Sequence, residues 1–261
     1  MPDSLLGAVV AAATEAGALA MARWQGQFRR WDKTPGNPVS EIDLAVDGLL
    51  RERLLAIDPD AGWLSEETAD DRSRLDHPRS WVVDPIDGTR DYLRGRPGWA
   101  VSVALIEHGR PQLGVLVAPA RGERWVAASG AGATCNGERL VASRRVSLEG
   151  ARVPIDSAKW LPPGVVKVTK PNSIALRLAM VAGNEADFVA TTKWGHDWDL
   201  AAAALIATEA GATVTDANGV PIAFNTPNAE IFGVLAAAPR IHAEALTLVK
   251  RRAGGAAGES R

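Results

Sequence analysis

Five carboxylates in this chain stand at the ends of apolar segments rather than within polar stretches. Two follow the strand-like segment 63–64, two follow the strand-like segment 81–83, and one precedes the apolar helical segment 200–210. They are Glu66, Glu67, Asp84, Asp87 and Asp199, and no basic residue accompanies them in sequence. Ionised carboxylates next to a hydrophobic core are energetically unfavourable unless a positive group is bound beside them. The fold must therefore bring these acids around a cation, and Mg²⁺ is the ion best matched to oxygen ligands.

The segment after residue 83 has the sequence Asp-Pro-Ile-Asp-Gly-Thr and combines several useful features. Pro85 stiffens the exit from the strand, so that two carboxylates and the Ile86 carbonyl can converge on one point. Gly88 permits a close backbone approach, and Thr89 opens a short helix whose first amides can bind an anion. An Asp-Pro turn or a Glu-Glu pair alone is more often solvated surface. Together, in this order, they favour metal-dependent transfer of a phosphoryl group to water.

Composition excludes several other classes. The 261 residues are 46% hydrophobic and 23% charged, which is typical of a globular chain with a full core. The net charge of -2 argues against a nucleic-acid polymer as partner. Cys135 is the single cysteine, so a disulfide framework and a multi-cysteine metal site are excluded. We interpret Cys135 as a turn residue rather than a nucleophile.

The N-terminal apolar run, residues 5–13, is short and is followed by Glu15. We predict a buried helix up to Trp24 rather than a signal peptide or a membrane span. With the single cysteine, this favours a cytoplasmic protein without a membrane partner.

Periodicity predicts mixed α/β (α+β) organisation in two sheet-containing halves. We expect helices at 40–57, 173–182, 200–210 and 238–251, and strands at 63–64, 81–83, 101–106, 113–117, 124–128, 186–190, 213–215 and 231–236. The predicted domains are 1–145, carrying most of the metal ligands, and 146–250, carrying Asp199 and substrate contacts. Residues 251–261 form a Gly/Ala/Arg tail that we predict to be disordered.

Two signatures in this order resemble the inositol monophosphatase superfamily of Mg²⁺-dependent, lithium-sensitive phosphatases. The first is the intact D-P-I-D-G-T at residues 84–89, preceded by L-S-E-E at 64–67. The second is W-D-L-A-A at 198–202, followed by E-A-G at 209–211. Weaker matches lie at 39–43, 97–102 and 130–137. The resemblance runs from about residue 33 to about residue 242, and it implies a layered αβαβα sandwich that is often a homodimer.

The resemblance also implies roles for individual residues. Two Mg²⁺ ions would be bound by Glu66, Asp84, the Ile86 carbonyl, Asp87 and Asp199. Glu67 would hold a further water or a third, weaker metal ion. Asp84 would bridge the first two ions. Asp43 and Thr89 would orient the attacking water, with Glu66 counted as catalytic through its metal. The Gly88 and Thr89 amides would hold the phosphate.

The substrate is a small phosphate ester whose identity stays open. Many inositol monophosphatases have D-G-T-x-N where this chain has Arg90-Asp91, and inositol-specific members have a Glu where this chain has Thr192. These departures favour a 3'(2'),5'-bisphosphate nucleotidase, with Arg90 or Lys193 binding the second phosphate. The alternative is an inositol-1-monophosphatase or another sugar phosphatase of the same family. Both cations are equally compatible with a solvated surface role.

Two further alternatives are kept. His196, three residues before Asp199, is assigned to substrate contact, although a structural hydrogen bond is the more frequent role. A non-catalytic phosphate-binding module on the same fold is the alternative to an enzyme. The complete set of acids and Thr89 favours the enzyme, because a module without catalysis would be free to lose one of them.

Overall fold

The computed structural model describes residues 3–157 and 160–258. Six α-helices lie along this part of the chain: α1 (Asp3–Arg23), α2 (Glu41–Ile57), α3 (Thr89–Leu93), α4 (Ile174–Ala182), α5 (Asp197–Glu209) and α6 (His242–Gly258). Short 3-10 turns lie at Ser73–Asp76 and Pro119–Arg121.

The same residues contain fourteen β-strands. They are β1 (Arg30–Thr34), β2 (Asn37–Ser40), β3 (Gly62–Ser65), β4 (Arg79–Asp87), β5 (Ala100–Glu107), β6 (Arg110–Ala118), β7 (Glu123–Ala128), β8 (Gly132–Cys135), β9 (Glu138–Arg139), β10 (Arg152–Pro154), β11 (Val166–Val168), β12 (Phe188–His196), β13 (Thr213–Thr215) and β14 (Glu230–Ala237). Each strand that we predicted lies within or overlaps one of these, and Cys135 is the last residue of β8 rather than part of the following turn.

Strands β3 to β9 form a seven-stranded sheet in sequence order, in which only β3 and β4 are parallel. Successive residues of a strand point to opposite faces, and β5 shows the consequence. Val103 and Leu105 pack against α1 and α2, whereas Ala104 and Ile106 pack against α4 and α5. Both faces are apolar, so the sheet is covered by helices on both sides.

A second sheet has the order β12-β14-β13, with antiparallel pairs. Its central strand β14 alternates in the same way: Val234 and Ala236 face α4 and α5, and Leu235 and Ala237 face α6. The layers are therefore α1/α2, the seven-stranded sheet, α4/α5, the three-stranded sheet and α6. The predicted αβαβα sandwich is confirmed.

The layer of α4 and α5 lies in one core cluster with residues from both sheets, among them Leu64 and Val82 on one side and Val234 and Ala236 on the other. Residues before and after position 145 thus share a continuous core. The division into domains at that position stays a prediction.

Helix α1 is longer than the apolar run that the sequence shows at first sight. Residues Ser4–Arg23 have a mean hydropathy of 1.7 and satisfy the length and composition of a membrane span. Our prediction had considered the apolar run too short for one. One face of this helix is nevertheless buried in the molecule, through Val9, Ala13, Ala16 and Ala20. A core helix of a globular protein satisfies the same criteria, and this burial favours that interpretation.

The C-terminal part differs most from prediction. Strand β12 continues to His196, with an irregular register between Thr191 and Trp194, and the last helix begins at His242 rather than at 238. Residues 251–258 continue that helix, so the predicted disorder is wrong for them, and residues 259–261 lie outside the described part. Alanine and arginine are strong helix formers, and no proline interrupts the segment.

Helix α5 approaches strand β6 so closely that a side chain at Gly114 has no space. A Cβ at this position would lie 2.7 Å from the Ala202 carbonyl oxygen and 3.1 Å from its Cα. We expect Gly114→Ala to destabilise the fold by about 1–3 kcal/mol through overpacking. The melting temperature should fall by about 2–4 °C for each kcal/mol.

Gly48→Ala is the matched control. Gly48 lies on the exposed face of α2, and no atom lies within 4 Å of a Cβ built there. This substitution should stabilise by about 0.5–1 kcal/mol, because alanine is the better helix former. Equal melting temperatures for Gly114→Ala and the unmodified protein would contradict the close packing of α5 on β6.

Candidate active site

The end of β4 carries two carboxylates that an irregular pairing turns to the same side. Asp84 pairs with Ser102 and Asp87 with Ala100, so β4 has one residue more than β5 between these pairs. Residues three apart would point to opposite faces in a regular strand, and the extra residue removes that alternation. The Ile86 amide donates to Asp84 Oδ1 over 3.0 Å and fixes the bend.

A third carboxylate comes from the first turn of α5. Asp199 Oδ2 accepts a hydrogen bond from the His196 amide over 2.7 Å, which holds the side chain at the start of the helix. One carboxylate oxygen from each of Asp84, Asp87 and Asp199 lies within 4.8 Å of the others. The structure therefore brings together three of the predicted metal ligands, two of them buried.

Asp87 is held by the beginning of α4. The Ser173 hydroxyl donates to Asp87 Oδ2 over 2.5 Å, and the Ala175 amide donates to the same oxygen over 2.8 Å. Ser173 also caps α4 by accepting from the Leu176 amide. The cluster thus connects the C-terminal end of β4 to both helices of the middle layer.

Glu66 and Glu67 have a basic partner from a distant part of the chain, although no basic residue accompanies them in sequence. Lys33 Nζ lies 3.0 Å from Glu66 Oε1 and 2.8 Å from Glu67 Oε1. Lys33 belongs to the β1–β2 hairpin, which is distant in sequence from both glutamates, so nothing in their surroundings in the chain indicates the contact. Glu66 lines the same cavity as the three aspartates, whereas Glu67 is not part of that lining.

Two aspartates of the cluster and the neighbouring Glu67 have raised pKa values. Burial is the largest cause at Asp84, followed by the charge of Glu66, and its pKa lies well above the ordinary range. Burial and the charge of Asp199 raise the pKa of Asp87 to about 7. Burial also raises the pKa of Glu67 to about 7, with Lys33 opposing the rise. These carboxyls are repelled by one another, and a divalent cation would remove the repulsion.

Thr89 and Asp43 meet beside the cluster. The Thr89 hydroxyl lies 3.4 Å from Asp43 Oδ1 and 3.0 Å from the Ile86 carbonyl oxygen. Asp43 is buried in the first turn of α2, where Oδ2 accepts from the Ser40 amide over 2.8 Å and from the Ser40 hydroxyl. Burial raises the pKa of Asp43. The predicted water-orienting pair is adjacent, and its role stays a prediction.

Gly88 lies in the left-handed region with φ +94° and has no space for a side chain. A Cβ there would lie 2.6 Å from the Gly98 carbonyl oxygen and 2.8 Å from the Ser173 amide nitrogen. Arg90 Nη2 donates to the Gly36 carbonyl over 2.6 Å, and Asp91 Oδ2 accepts from the Asn172 amide over 2.9 Å. Both residues of the charged pair that favoured a nucleotidase thus have structural partners.

Lys193 and His196, the remaining predicted substrate contacts, differ in their position relative to the cavities beside the cluster. Lys193 is exposed on β12 and lines a large cavity beside the cluster. His196 precedes α5, and its ring stacks on Trp198 at 4.4 Å. Its pKa is raised by its interaction with Asp199. The linings of the cavities beside the cluster do not include His196, so its contact with substrate stays a prediction.

Comparisons with known proteins identify relatives that are phosphatases. The family model described as the inositol monophosphatase family matches residues 1–253. A fructose-1,6-bisphosphatase/inositol-1-monophosphatase of Thermotoga maritima is 33% identical over 213 residues, 78% of this chain and 81% of that protein. A histidinol-phosphatase of Mycobacterium tuberculosis is 34% identical over 84% of this chain and 89% of its own length.

Solved structures agree as well. An IMPase from Thermotoga maritima superposes with a TM-score of 0.82 at 29% identity, covering 93% of this chain and 95% of that one. The extragenic suppressor protein suhB from Bartonella henselae superposes with the same score at 27% identity, over 95% of this chain and 99% of that one.

This chain belongs to the inositol monophosphatase family. It is accordingly a hydrolase of phosphoric monoesters, and its three-aspartate cluster could bind the metal on which the family depends. The D-P-I-D-G-T and W-D motifs indicated the acids of this phosphatase. They did not indicate Lys33 or Ser173, whose contacts depend on tertiary structure, although Ser173 has the position of a helix N-cap.

The raised pKa values predict how the stability of this phosphatase depends on pH. A carboxyl whose pKa rises from about 4 to about 7 on folding keeps a proton that the unfolded chain loses in that range. The metal-free protein should therefore lose stability between about pH 4 and 7, because the unfolded chain ionises there while the folded carboxyls retain their protons. At pH 8, Mg²⁺ at 100 times its Kd should restore about 2.7 kcal/mol.

Thermal melts of three proteins check this expectation. Asp87→Asn should melt higher than the unmodified protein at pH 8 without metal, because one repelling charge is gone, and Mg²⁺ should raise its melting temperature less than that of the unmodified protein, because one ligand of the second ion is lost. Asp76→Asn, an exposed position outside the cluster, should respond to Mg²⁺ as the unmodified protein does. A melting temperature of the unmodified protein that ignores millimolar Mg²⁺ would contradict the metal site.

Proposed function

We propose that this protein is a Mg²⁺-dependent phosphomonoesterase that hydrolyses a small phosphorylated metabolite. The observation that carries the proposal is the convergence of Asp84, Asp87 and Asp199 within 4.8 Å, next to the Gly88–Thr89 turn. Carboxylate oxygens that repel one another fit a hard divalent cation. A non-catalytic phosphate-binding module would not need Thr89 and Asp43 beside this cluster.

The predicted ligand set divides into two groups. Asp84, Asp87 and Asp199, with the Ile86 carbonyl, would hold two Mg²⁺ ions, and Glu66 would complete the first of these sites. Glu67 would serve a third, weaker ion. Bound Mg²⁺ would neutralise the phosphate, promote ionisation of a water molecule and stabilise the leaving oxygen. Lithium inhibition, a homodimeric assembly and a cytoplasmic location are proposed from the family resemblance.

Thr89 and Asp43 would position the attacking water. The Thr89 hydroxyl has one hydrogen and two acceptors within reach, Asp43 and the Ile86 carbonyl. If Ile86 used its carbonyl to hold a metal ion, Asp43 would be the remaining acceptor for the Thr89 hydrogen, and the hydroxyl oxygen would be available to accept from the water. The water oxygen would bond to phosphorus and release one proton to solvent, the P–O ester bond would break, and the leaving oxygen would take a proton from solvent.

Thr89→Ala should lower kcat by about 10²–10⁴, the usual contribution of positioned proton transfer. Asp43→Asn should cause a similar loss. The double variant should lose much less than the product of the two factors, because the residues act as one unit. Steady-state kinetics under Mg²⁺ titration measures these effects.

Two other variants serve as the negative and the positive control for these measurements. Asp84→Asn should abolish both metal binding and activity, whereas Thr247→Ala, exposed on α6, should leave both unchanged. Near-normal kcat in Thr89→Ala, or a trapped phosphothreonine in the unmodified enzyme, would refute the mechanism.

For the substrate, we favour 3'-phosphoadenosine 5'-phosphate, hydrolysed to AMP and phosphate. Thr192 is not the acid that inositol-specific members have, and Lys193 lines the cavity beside the cluster. Trp194, 65% exposed and 5.2 Å from Phe232, lies at the edge of an adjoining cavity and offers a surface on which a base can stack. The alternative is inositol 1-phosphate, supported by relatives named as inositol-1-monophosphatases.

A hydrolysis panel ranks the two. Phosphate release from 3'-phosphoadenosine 5'-phosphate, inositol 1-phosphate, fructose 1,6-bisphosphate and histidinol phosphate should show the highest kcat/KM for the first. A tenfold preference for inositol 1-phosphate, about 1.4 kcal/mol in the transition state, would reverse the assignment.

A further inference from the structure

A second cavity continues from the metal cluster toward the C-terminal half of the molecule. It has a volume of about 630 Å³, and Asp87, Gly88 and Asp199 line both this cavity and the one at the cluster. Five basic residues line it: Arg90, Lys170, Arg177, Lys193 and Arg252. A phosphate ester bound at the cluster would extend the rest of its structure along this wall.

Two of the five cations already have polar partners. Lys170 is paired with Asp156, and Arg90 donates to the Gly36 carbonyl. Arg177, Lys193 and Arg252 have no carboxylate within ion-pair distance among the described residues, and Arg252 lies over the ring of Trp160, 4.7 Å from its centroid. Apart from the predicted metal ligands, the cavity is therefore lined by an excess of positive charge.

Arg177 is held by two hydrogen bonds to backbone carbonyls. Its Nε donates to the Pro171 carbonyl over 2.8 Å, and its Nη2 donates to the Asn172 carbonyl. These two bonds fix the plane of the guanidinium at the end of the segment that precedes α4 and leave Nη1 as a free donor. The charges of Asp87, Asp156 and Asp91 favour the charged guanidinium, although none forms a direct ion pair with it among the described residues. An arriving phosphate or carboxylate would add charge-assisted hydrogen bonds.

The charge of this wall discriminates among esters. An ester with a second phosphate would gain charge-assisted hydrogen bonds from Arg177 and attraction from Lys193. A neutral polyol phosphate would gain neither of these, and an ester with an ammonium group would be repelled.

We infer that Arg177 is a specificity-determining residue that binds a second phosphate of the substrate, remote from the phosphate that is hydrolysed. This inference rests on the proposed function. The second phosphate can belong to a nucleotide or to a sugar, and the experiment separates the two.

The test varies the substrate and the residue together. Adenosine 3'-phosphate differs from 3'-phosphoadenosine 5'-phosphate only by the second phosphate, and fructose 1-phosphate differs in the same way from fructose 1,6-bisphosphate. The unmodified enzyme should favour the bisphosphate of at least one pair in kcat/KM. Arg177→Gln should reduce that preference about tenfold, mostly through KM, and Arg177→Lys should restore part of it.

Inhibition by an ester that carries only the second phosphate measures binding of that phosphate, independently of the rate of hydrolysis. Adenosine 5'-phosphate or fructose 6-phosphate, whichever matches the preferred pair, should inhibit turnover of the corresponding monophosphate. Its inhibition constant should rise about tenfold in Arg177→Gln. Arg124→Gln, exposed on β7 and outside the cavity lining, is the matched control and should match the unmodified enzyme in both measurements.

The alternative role for Arg177 is electrostatic support of the cluster, because its charge lowers the pKa of Asp87. In that case Arg177→Gln would weaken Mg²⁺ binding and reduce kcat/KM by one factor for both members of a pair, which would overturn the inference. Equal kcat/KM for bisphosphate and monophosphate in the unmodified enzyme would overturn it as well, with the phosphatase function intact. If no ester is hydrolysed with Mg²⁺, both proposals fail.

Discussion

Repulsion among three carboxylates, two of them buried, is the constraint on which the rest of this structure depends. Asp84, Asp87 and Asp199 come from a sheet edge and a helix that are far apart in sequence, and burial together with like charge raises the pKa of the first two. The local hydrogen bonds from Ser173 and from backbone amides offset part of this, and they also fix the positions of the oxygens. The molecule keeps the acids close and leaves the remaining repulsion for a cation to remove.

The packing of α5 explains how Asp199 reaches the other two. This helix lies between two sheets and meets both through small residues, including Ala201–Ala204, so the layers approach closely. Gly114 on β6 provides the space into which Ala202 fits. A larger residue at either position would move the first turn of α5 away from the end of β4. The small side chains of the core therefore serve the geometry of the site as well as the packing of the layers.

The parts of the fold and the site that could be predicted are those with a local cause. The alternation of apolar residues indicated the strands, and Asp-Pro-Ile-Asp-Gly-Thr indicated two acids at the end of one of them. The partners of Glu66 and Asp87 could not be predicted, because Lys33 and Ser173 approach from elements distant in sequence. The extent of α6 was wrong because its Gly-containing end resembles a tail in composition, while its alanines and arginines favour helix.

Two cations that interact with the acids, Lys33 and Arg177, have different partners, and this asymmetry bears on function. Lys33 forms ion pairs with Glu66 and Glu67, so its charge is largely neutralised where it lies. Arg177 donates to two carbonyls and forms no direct ion pair among the described residues, although the charges of Asp87, Asp156 and Asp91 act on it. A negatively charged ester is therefore repelled by the bare cluster and attracted by the wall beside it. Bound metal would turn the repulsion at the cluster into attraction and leave the attraction at the basic wall unchanged. An ester with two anionic groups would therefore be attracted at both groups only in the metal-loaded enzyme.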